Sequence, residues 1–405
     1  MNRDENGLPA SFQVYPSVPN PLIPRLVDIC IDTIVENYTD CSKLHLVPKK
    51  YHKTILQKLP FNISLPIAVM SIPDGIYWKK LLLHQFPGIP HDPTMTRWKQ
   101  FYLEQYASKQ LENATASNVD EVFESMKVVG PYIRTIKMKR SPCKVSIAKL
   151  FKIFRGLRKL SLVYGEPRKS FAQYEEFDSF EIQSELSATM RDCTAMTIDF
   201  EAIGSFCPLQ ELDMSDNSLS DKCAQMIARG LVKLNSLTSL VLSHNEISNQ
   251  GAHDLALVLT TSPIKYLDLS DNKIGADGVQ YIAMCCEKRK SIEYLNLSSN
   301  QLGDKGVVSI AQIVEHVPSL KHLDISGNRI EYVGPLVDSL KTNRTLKVLI
   351  IAANPLNPNE AMNLRDTLEA SQTLEKVDMR VYESNEDDYV IKTTETSEAP
   401  LLRIK

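Results

Sequence analysis

No stretch of this 405-residue chain reaches the roughly 18–20 consecutive apolar residues that a membrane-spanning helix needs. Neither sign of charge dominates: 46 lysines and arginines stand against 49 aspartates and glutamates, so a globally basic nucleic-acid binder is excluded. The first twenty residues are polar and dotted with proline and lack a signal-peptide core, so the chain is expected to be soluble and intracellular. The eight cysteines (Cys30, Cys41, Cys143, Cys193, Cys207, Cys223, Cys285, Cys286) form no CxxC pair. Buried free thiols are therefore expected rather than a disulfide framework. A phosphate-binding G-x-x-x-x-G-K-[ST] loop, a G-x-S-x-G elbow and a Cys–His constellation are all missing. His84 and His91, or His316 and His322, lack the i, i+4 spacing of a helical metal site. Catalysis, cofactors and metals are not expected.

What is present is repetition. LQELDMSDNSL, LTSLVLSHNEI, IKYLDLSDNKI, IEYLNLSSNQL, LKHLDISGNRI and LKVLIIAANPL share the pattern L-x-x-L-x-L-x-x-N-x-L. Their asparagines are Asn217, Asn245, Asn272, Asn300, Asn328 and Asn354, spaced 26 to 28 residues apart. The apolar letters predict short strands whose inward side chains stack into one continuous core. Each asparagine falls where the chain leaves its strand, where an amide can satisfy backbone groups that have lost their ladder partners. Helical segments such as GAHDLALVL and GVVSIAQIV follow, with Gly251, Gly278, Gly306 and Gly334 six residues past their asparagines, where close packing is expected. The expected fold is α/β, a leucine-rich-repeat horseshoe solenoid of the ribonuclease-inhibitor class with strands inside and helices outside. LRKLSL and IRTIKM keep the spacing upstream without the asparagine, and LEKVDM keeps it downstream, giving about eight or nine repeats.

Before the repeats, LVDICIDTIVENY reads as a helix with Leu26, Ile29, Cys30 and Ile34 on one face. Pro48 opens a second helix, Asp74 is expected to cap a third (IYWKKLLLHQF), and 94–113 reads as a fourth. The expected organisation is a flexible arm (1–20), a helical domain (21–126) and a repeat domain (127–380), with an acidic flexible tail (381–405). Within the repeat domain, 127–206 is degenerate, 207–358 regular and 359–380 capping.

The order of these pieces is a Pro-rich arm, LVDICIDTIVENY, a Pro-Lys-Lys-Tyr helix start, YWKKLLLHQFP, a second Trp helix and then the repeats. It resembles the dynein regulatory complex subunit 5 family, also called T-complex-associated testis-expressed protein 1, over residues 14–380. That resemblance implies a non-enzymatic scaffold subunit of the nexin–dynein regulatory complex in the ciliary or flagellar axoneme. Other subunits of that complex, doublet microtubules or dynein components would be its partners. Two other classes compete. A helical module before leucine-rich repeats loosely resembles an F-box-type substrate receptor of a cullin ubiquitin ligase, and the GTPase-activating protein for Ran uses similar repeats.

Two surfaces could carry a partner. The concave strand positions run from Thr135, Lys137, Lys139, Lys159 and Ser161 through Glu211, Asp213, Asp216, Tyr266, Asp268, Asp271, Tyr294 and Asp324 to Val348, Ile350, Ala352 and Ala353. Two tyrosines beside an acidic column, ending in an apolar patch, make a partner surface or a merely solvated face. The second surface is basic. Residues 127–172 hold thirteen lysines and arginines, among them Lys137, Lys139, Arg140, Lys149, Lys152, Arg155 and Lys159, against one acid. Residues 173–201 hold eight acids and one base, so the block either meets an acidic partner or is neutralised internally. Lys149, Lys152 and Arg155, three apart, are expected to share a helical face.

Overall fold

A computed structural model describes residues 25–38, 44–90, 94–115, 117–141, 147–164, 208–380 and 402–403. The chain divides into two compact units, Met1–Tyr102 and Leu103–Lys405.

The first unit contains α1 (Leu26–Glu36), α2 (Lys49–Lys58), α3 (Leu65–Ser71), α4 (Ile76–Gln85) and the start of α5 (Trp98–Glu112). Its core is built on Ile55, Leu59, Ile72, Tyr77, Trp78 and Leu82, all nearly inaccessible. Tyr77 stands edge-on to Trp78 with ring centroids 5.5 Å apart, and burial pushes its hydroxyl up to about 12. Three expectations change here. In α1 the buried side chains are Ile31 and, just past its end, Tyr38, whereas Leu26, Ile29 and Cys30 are exposed. The sequence carries two apolar stripes, and the packed one is Ile31–Ile34–Val35–Tyr38. Asp74 does not cap α4, whose N-cap is Gly75; its carboxylate accepts from the Lys99 amide, 2.8 Å away in the first turn of α5. Finally α3 is an additional helix, started by Ser64 with a proline in its first turn.

The second unit is the α/β leucine-rich-repeat solenoid. After the remainder of α5 and α6 (Val119–Met126) come β1 (Thr135–Ser141), α7 (Ile147–Ile153) and β2 (Lys159–Tyr164). The regular repeats follow as β3 (Glu211–Asp213), α8 (Asp221–Leu231), β4 (Ser239–Val241), α9 (Asn249–Thr261), β5 (Tyr266–Asp268) and α10 (Ala276–Arg289). They continue as β6 (Tyr294–Asn296), α11 (Gly303–His316), β7 (His322–Asp324), α12 (Gly334–Thr342), β8 (Val348–Ile350), α13 (Pro358–Ala370) and β9 (Lys376–Asp378). The nine strands form one parallel sheet in chain order, and a two-residue strand, Leu402–Arg403, pairs antiparallel with β9.

The strand register places Ile136, Leu160, Leu212, Leu240, Leu267, Leu295, Leu323, Leu349 and Val377 in one row, each 3% exposed or less. This row is the core side of the sheet, and the flanking strand positions stay half-exposed on the other side. Strand β2 pairs directly with β3, with residues 165–207 between them in the chain. Those residues, including Phe171–Phe206 and the acidic run, lie outside the described residues, as do the arm and most of the tail.

The six asparagines are 7% exposed or less. Asn300 is representative. Its amide nitrogen donates to the carbonyls of Leu269 (2.9 Å), Leu297 (3.1 Å) and Ser298 (3.1 Å), and its oxygen accepts from the Ile274 amide at 3.0 Å. Each asparagine thus ties its own turn to the preceding repeat, a geometry that recurs from Asn245 to Asn354. The residue before each is left-handed: Asp216, His244, Asp271, Ser299, Gly327 and Ala353 all have φ between 49° and 62°. Gly278 sits where a Cβ would lie 2.8 Å from the Asn249 side-chain oxygen, so neighbouring helices require its absence there.

Among the cysteines, Cys30, Cys285 and Cys286 are free. Cys223 is not: it is disulfide-bonded, contrary to expectation. Cys41, Cys143, Cys193 and Cys207 lie outside the described residues.

Candidate docking face of the repeat sheet

Strand side chains alternate between faces, so residues on either side of the core leucine project from the other face in two rows. The first row, β3 to β9, is Glu211, Ser239, Tyr266, Tyr294, His322, Val348 and Lys376. The second is Asp213, Val241, Asp268, Asn296, Asp324, Ile350 and Asp378.

In-register parallel strands bring like positions about 4.8 Å apart, close to ring-stacking distance. Tyr266 and Tyr294 stack with centroids 4.1 Å apart and planes 9° from parallel. Tyr294 and His322 follow at 4.3 Å and 22°. Burial raises the Tyr294 hydroxyl, with its hydrogen bond to Tyr266 adding to the shift. Burial lowers His322, against the pull of the Asp324 carboxylate. His322 is absent from the concave positions named above. It occupies the same pre-leucine strand position as Tyr266 and Tyr294, and that spacing is the signal that identifies it.

Each second-row acid is fixed by its own turn. Asp213, Asp268 and Asp324 each accept from the amide and hydroxyl of the serine two residues on, at 2.7–3.1 Å. Asn296 does the same with Ser298. Asp216 and Asp271 are not on the strands but in the left-handed turns just beyond them, where Asp271 meets His244. Val348 and Ile350 extend the two rows as a half-buried apolar end, while Ala352 is buried.

The basic block is partly paired. Lys159 contacts Glu211 at 2.7 Å, Lys149 contacts Asp120, and Lys127 contacts Glu124. Lys137 and Lys139 are exposed on β1; Arg140 is the next-to-last residue of that strand, with its side chain outside the described residues. Helix α7 stops at Ile153, so Arg155 lies in the following turn and does not share a helical face with Lys149 and Lys152. The cause is local: Phe154 turns into the core and is wholly buried.

Among the described residues no group of three or more His, Cys, Asp or Glu could hold a metal ion, and no helix is long and apolar enough to cross a membrane.

The repeats match the Leucine Rich repeat family over residues 207–228, 233–256, 262–283, 290–311 and 316–334. Beyond them, curated relatives share a single name. The resemblance is to dynein regulatory complex subunit 5. The protein of that name from Chlamydomonas reinhardtii is 28% identical over 215 residues, covering 52% of each chain. The Mus musculus protein is 24% identical over 265 residues, covering 58% of this chain and 51% of its own. The Macaca fascicularis protein is 22% identical over 65% of this chain and 56% of its own. The chain spans about half the length of the curated relatives it matches.

Proposed function

We propose that this chain is a non-enzymatic scaffold subunit of a dynein regulatory complex, working in the axoneme of cilia or flagella through protein–protein contacts. The observation that carries the reading is its similarity to dynein regulatory complex subunit 5 from an alga and two mammals. A parallel sheet with one half-exposed face of ordered rings, carboxylates and an apolar end suits such a role, because its side chains are held in place before a partner arrives. The docking residues are Glu211, Asp213, Tyr266, Asp268, Tyr294, Asp324, Val348 and Ile350, with Asp216 and Asp271 at the rim. Lys137, Lys139, Lys152 and Arg155 form a second, basic contact. The ubiquitin-ligase alternative finds no support in these relatives.

A tagged copy in a motile ciliated cell tests the assignment. It should stay with the axoneme through detergent extraction and a salt wash, and its removal should impair beating while doublets persist. Recovery of all the protein in the detergent-soluble fraction would sink the assignment.

A further inference from the structure

We propose that strand β4 floors a slot that takes an arginine side chain, so that the occupant of this face is an arginine-bearing basic segment of a protein partner. The proposal rests on reading the sheet face as a docking surface and names the chemistry of what docks there.

The aromatic stack has an open end. Its rings occupy three consecutive strands at Tyr266, Tyr294 and His322, and the row then reaches Ser239 and Glu211. A serine side chain is too short to cover the outer ring face of Tyr266. Two strand intervals separate Tyr266 from Glu211, about 9–10 Å between backbones, which leaves room above Ser239 for one more flat group in the stack. In the second row Val241 lies between Asp213 and Asp268. The slot therefore has a floor of Ser239 and Val241. One wall is the Tyr266 ring with Asp268, and the other is Glu211 with Asp213.

Charge decides the occupant. From β3 to β8 neither row contains a lysine or arginine. Glu211 is shared with Lys159, but the contacts of the two aspartates are neutral. Asp213 accepts from Ser215 and from Ser161 (3.1 Å); Asp268 accepts from Ser270 and from Asn296 (3.2 Å). Neutral donors fix these carboxylates without cancelling their charge, so the slot is anionic and preorganised. Nucleic acid has the wrong sign. A bare metal ion does not fit either, since the two aspartates stand on opposite sides of β4. A guanidinium satisfies every wall: it is planar and stacks on tyrosine, and its donors reach carboxylates on both sides. A lysine ammonium satisfies only the charge.

The test uses the full chain with hexa-arginine and hexa-lysine peptides, titrated calorimetrically at low ionic strength. Equal length and charge isolate the stacking contribution. The arginine peptide should bind at least about fivefold more tightly. Ser239→Trp, which fills the slot and covers Tyr266, should bring it down to the lysine level. Tyr266→Leu, which removes the ring without filling the slot, should do the same. Both substitutions lie on the half-exposed face, and circular-dichroism melting checks each fold, so either one decides if the other is destabilised. Equal affinity of the two peptides for the unmodified chain overturns the proposal. So does an arginine preference that survives substitution. Retention on axonemes is measured without either peptide, so failure there and failure here are told apart.

Discussion

From β3 to β8, the backbone leaving each strand is held by a buried asparagine that also grips the preceding repeat. At β1 there is no earlier strand to grip among the described residues, and different groups do the work. Glu104, Ser108 and Glu112, one turn apart along α5, accept the amides along the strand edge. Glu104 takes those of Arg134 (2.9 Å) and Thr135 (3.0 Å), Ser108 that of Lys137 (3.2 Å), and Glu112 that of Lys139 (2.6 Å). Four helical residues rise about 6 Å and two strand residues about 6.6 Å, so a helix can keep step with alternate amides of an extended strand. A repeat supplies its neighbour's partners by translation. An end has no neighbour, and an uncovered strand edge invites pairing with another chain. The interior is therefore satisfied by repeated sequence, and the first strand by side chains from a different element.

Substitutions on the two sides of this contrast should differ in kind. The largest effect is expected in the ladder: Asn300→Ala should cost about 3 kcal/mol in chemical unfolding, because three carbonyls and one amide lose a buried partner. A loss within error of zero would show that the column is dispensable. Next, Glu104→Ala should cost about 2 kcal/mol, because two amides lose a charged acceptor. Glu104→Gln, which keeps an acceptor oxygen, should cost less than half of that. Concentration-dependent association of Glu104→Ala in ultracentrifugation would follow if the exposed edge then pairs.

Smaller effects come from titration. Burial holds His322 below its ordinary range, so the unfolded chain binds that proton more readily. Stability is present in full above the ordinary histidine range and declines as pH falls through that range and below it. His322→Phe should flatten that decline in melting temperature; an unchanged pH profile would count against the buried ring. The smallest effect concerns Glu293, which lies between Lys265 (2.8 Å) and Lys321 (2.7 Å) and is held down to about 2. Its contribution is present above the ordinary glutamate value and is lost as pH falls from there toward 2. The side chain is one-third exposed, so solvent screening limits Glu293→Gln to a few tenths of a kcal/mol.

Much of the repeat region was legible because each letter of its pattern has one physical job. The leucine spacing located β3 to β9, and the positions beside each core leucine located Tyr266, Tyr294, Asp268 and Asp324. Where a segment satisfied two patterns at once, legibility failed. Helix α1 carries two apolar stripes, and only packing chose Ile31 over Leu26. Asp74 precedes one helix in sequence and caps another. Ser248 and Gly275, at the N-caps of α9 and α10, use no side chain of their own. Asp221 and Asn249 of the preceding repeats accept the first-turn amides instead, at Gly251 (3.0 Å) and Gly278 (3.1 Å). His322 was readable from its register but not from its residue type, since a lone histidine does not announce a stack.

By itself the sequence determined the period, the core row, the asparagine positions and the strand positions of Tyr266, Tyr294, Asp268 and Asp324. Those follow from alternation along a strand and from repetition, both of which are local. The tertiary structure alone decided that three rings on separate strands stack, that their stack stops at Ser239, and that α5 closes the first strand. Each of these depends on which segments meet across 25 residues or more. Local spacing fixes where a side chain points, but the partner it finds is set by the segment packed beside it.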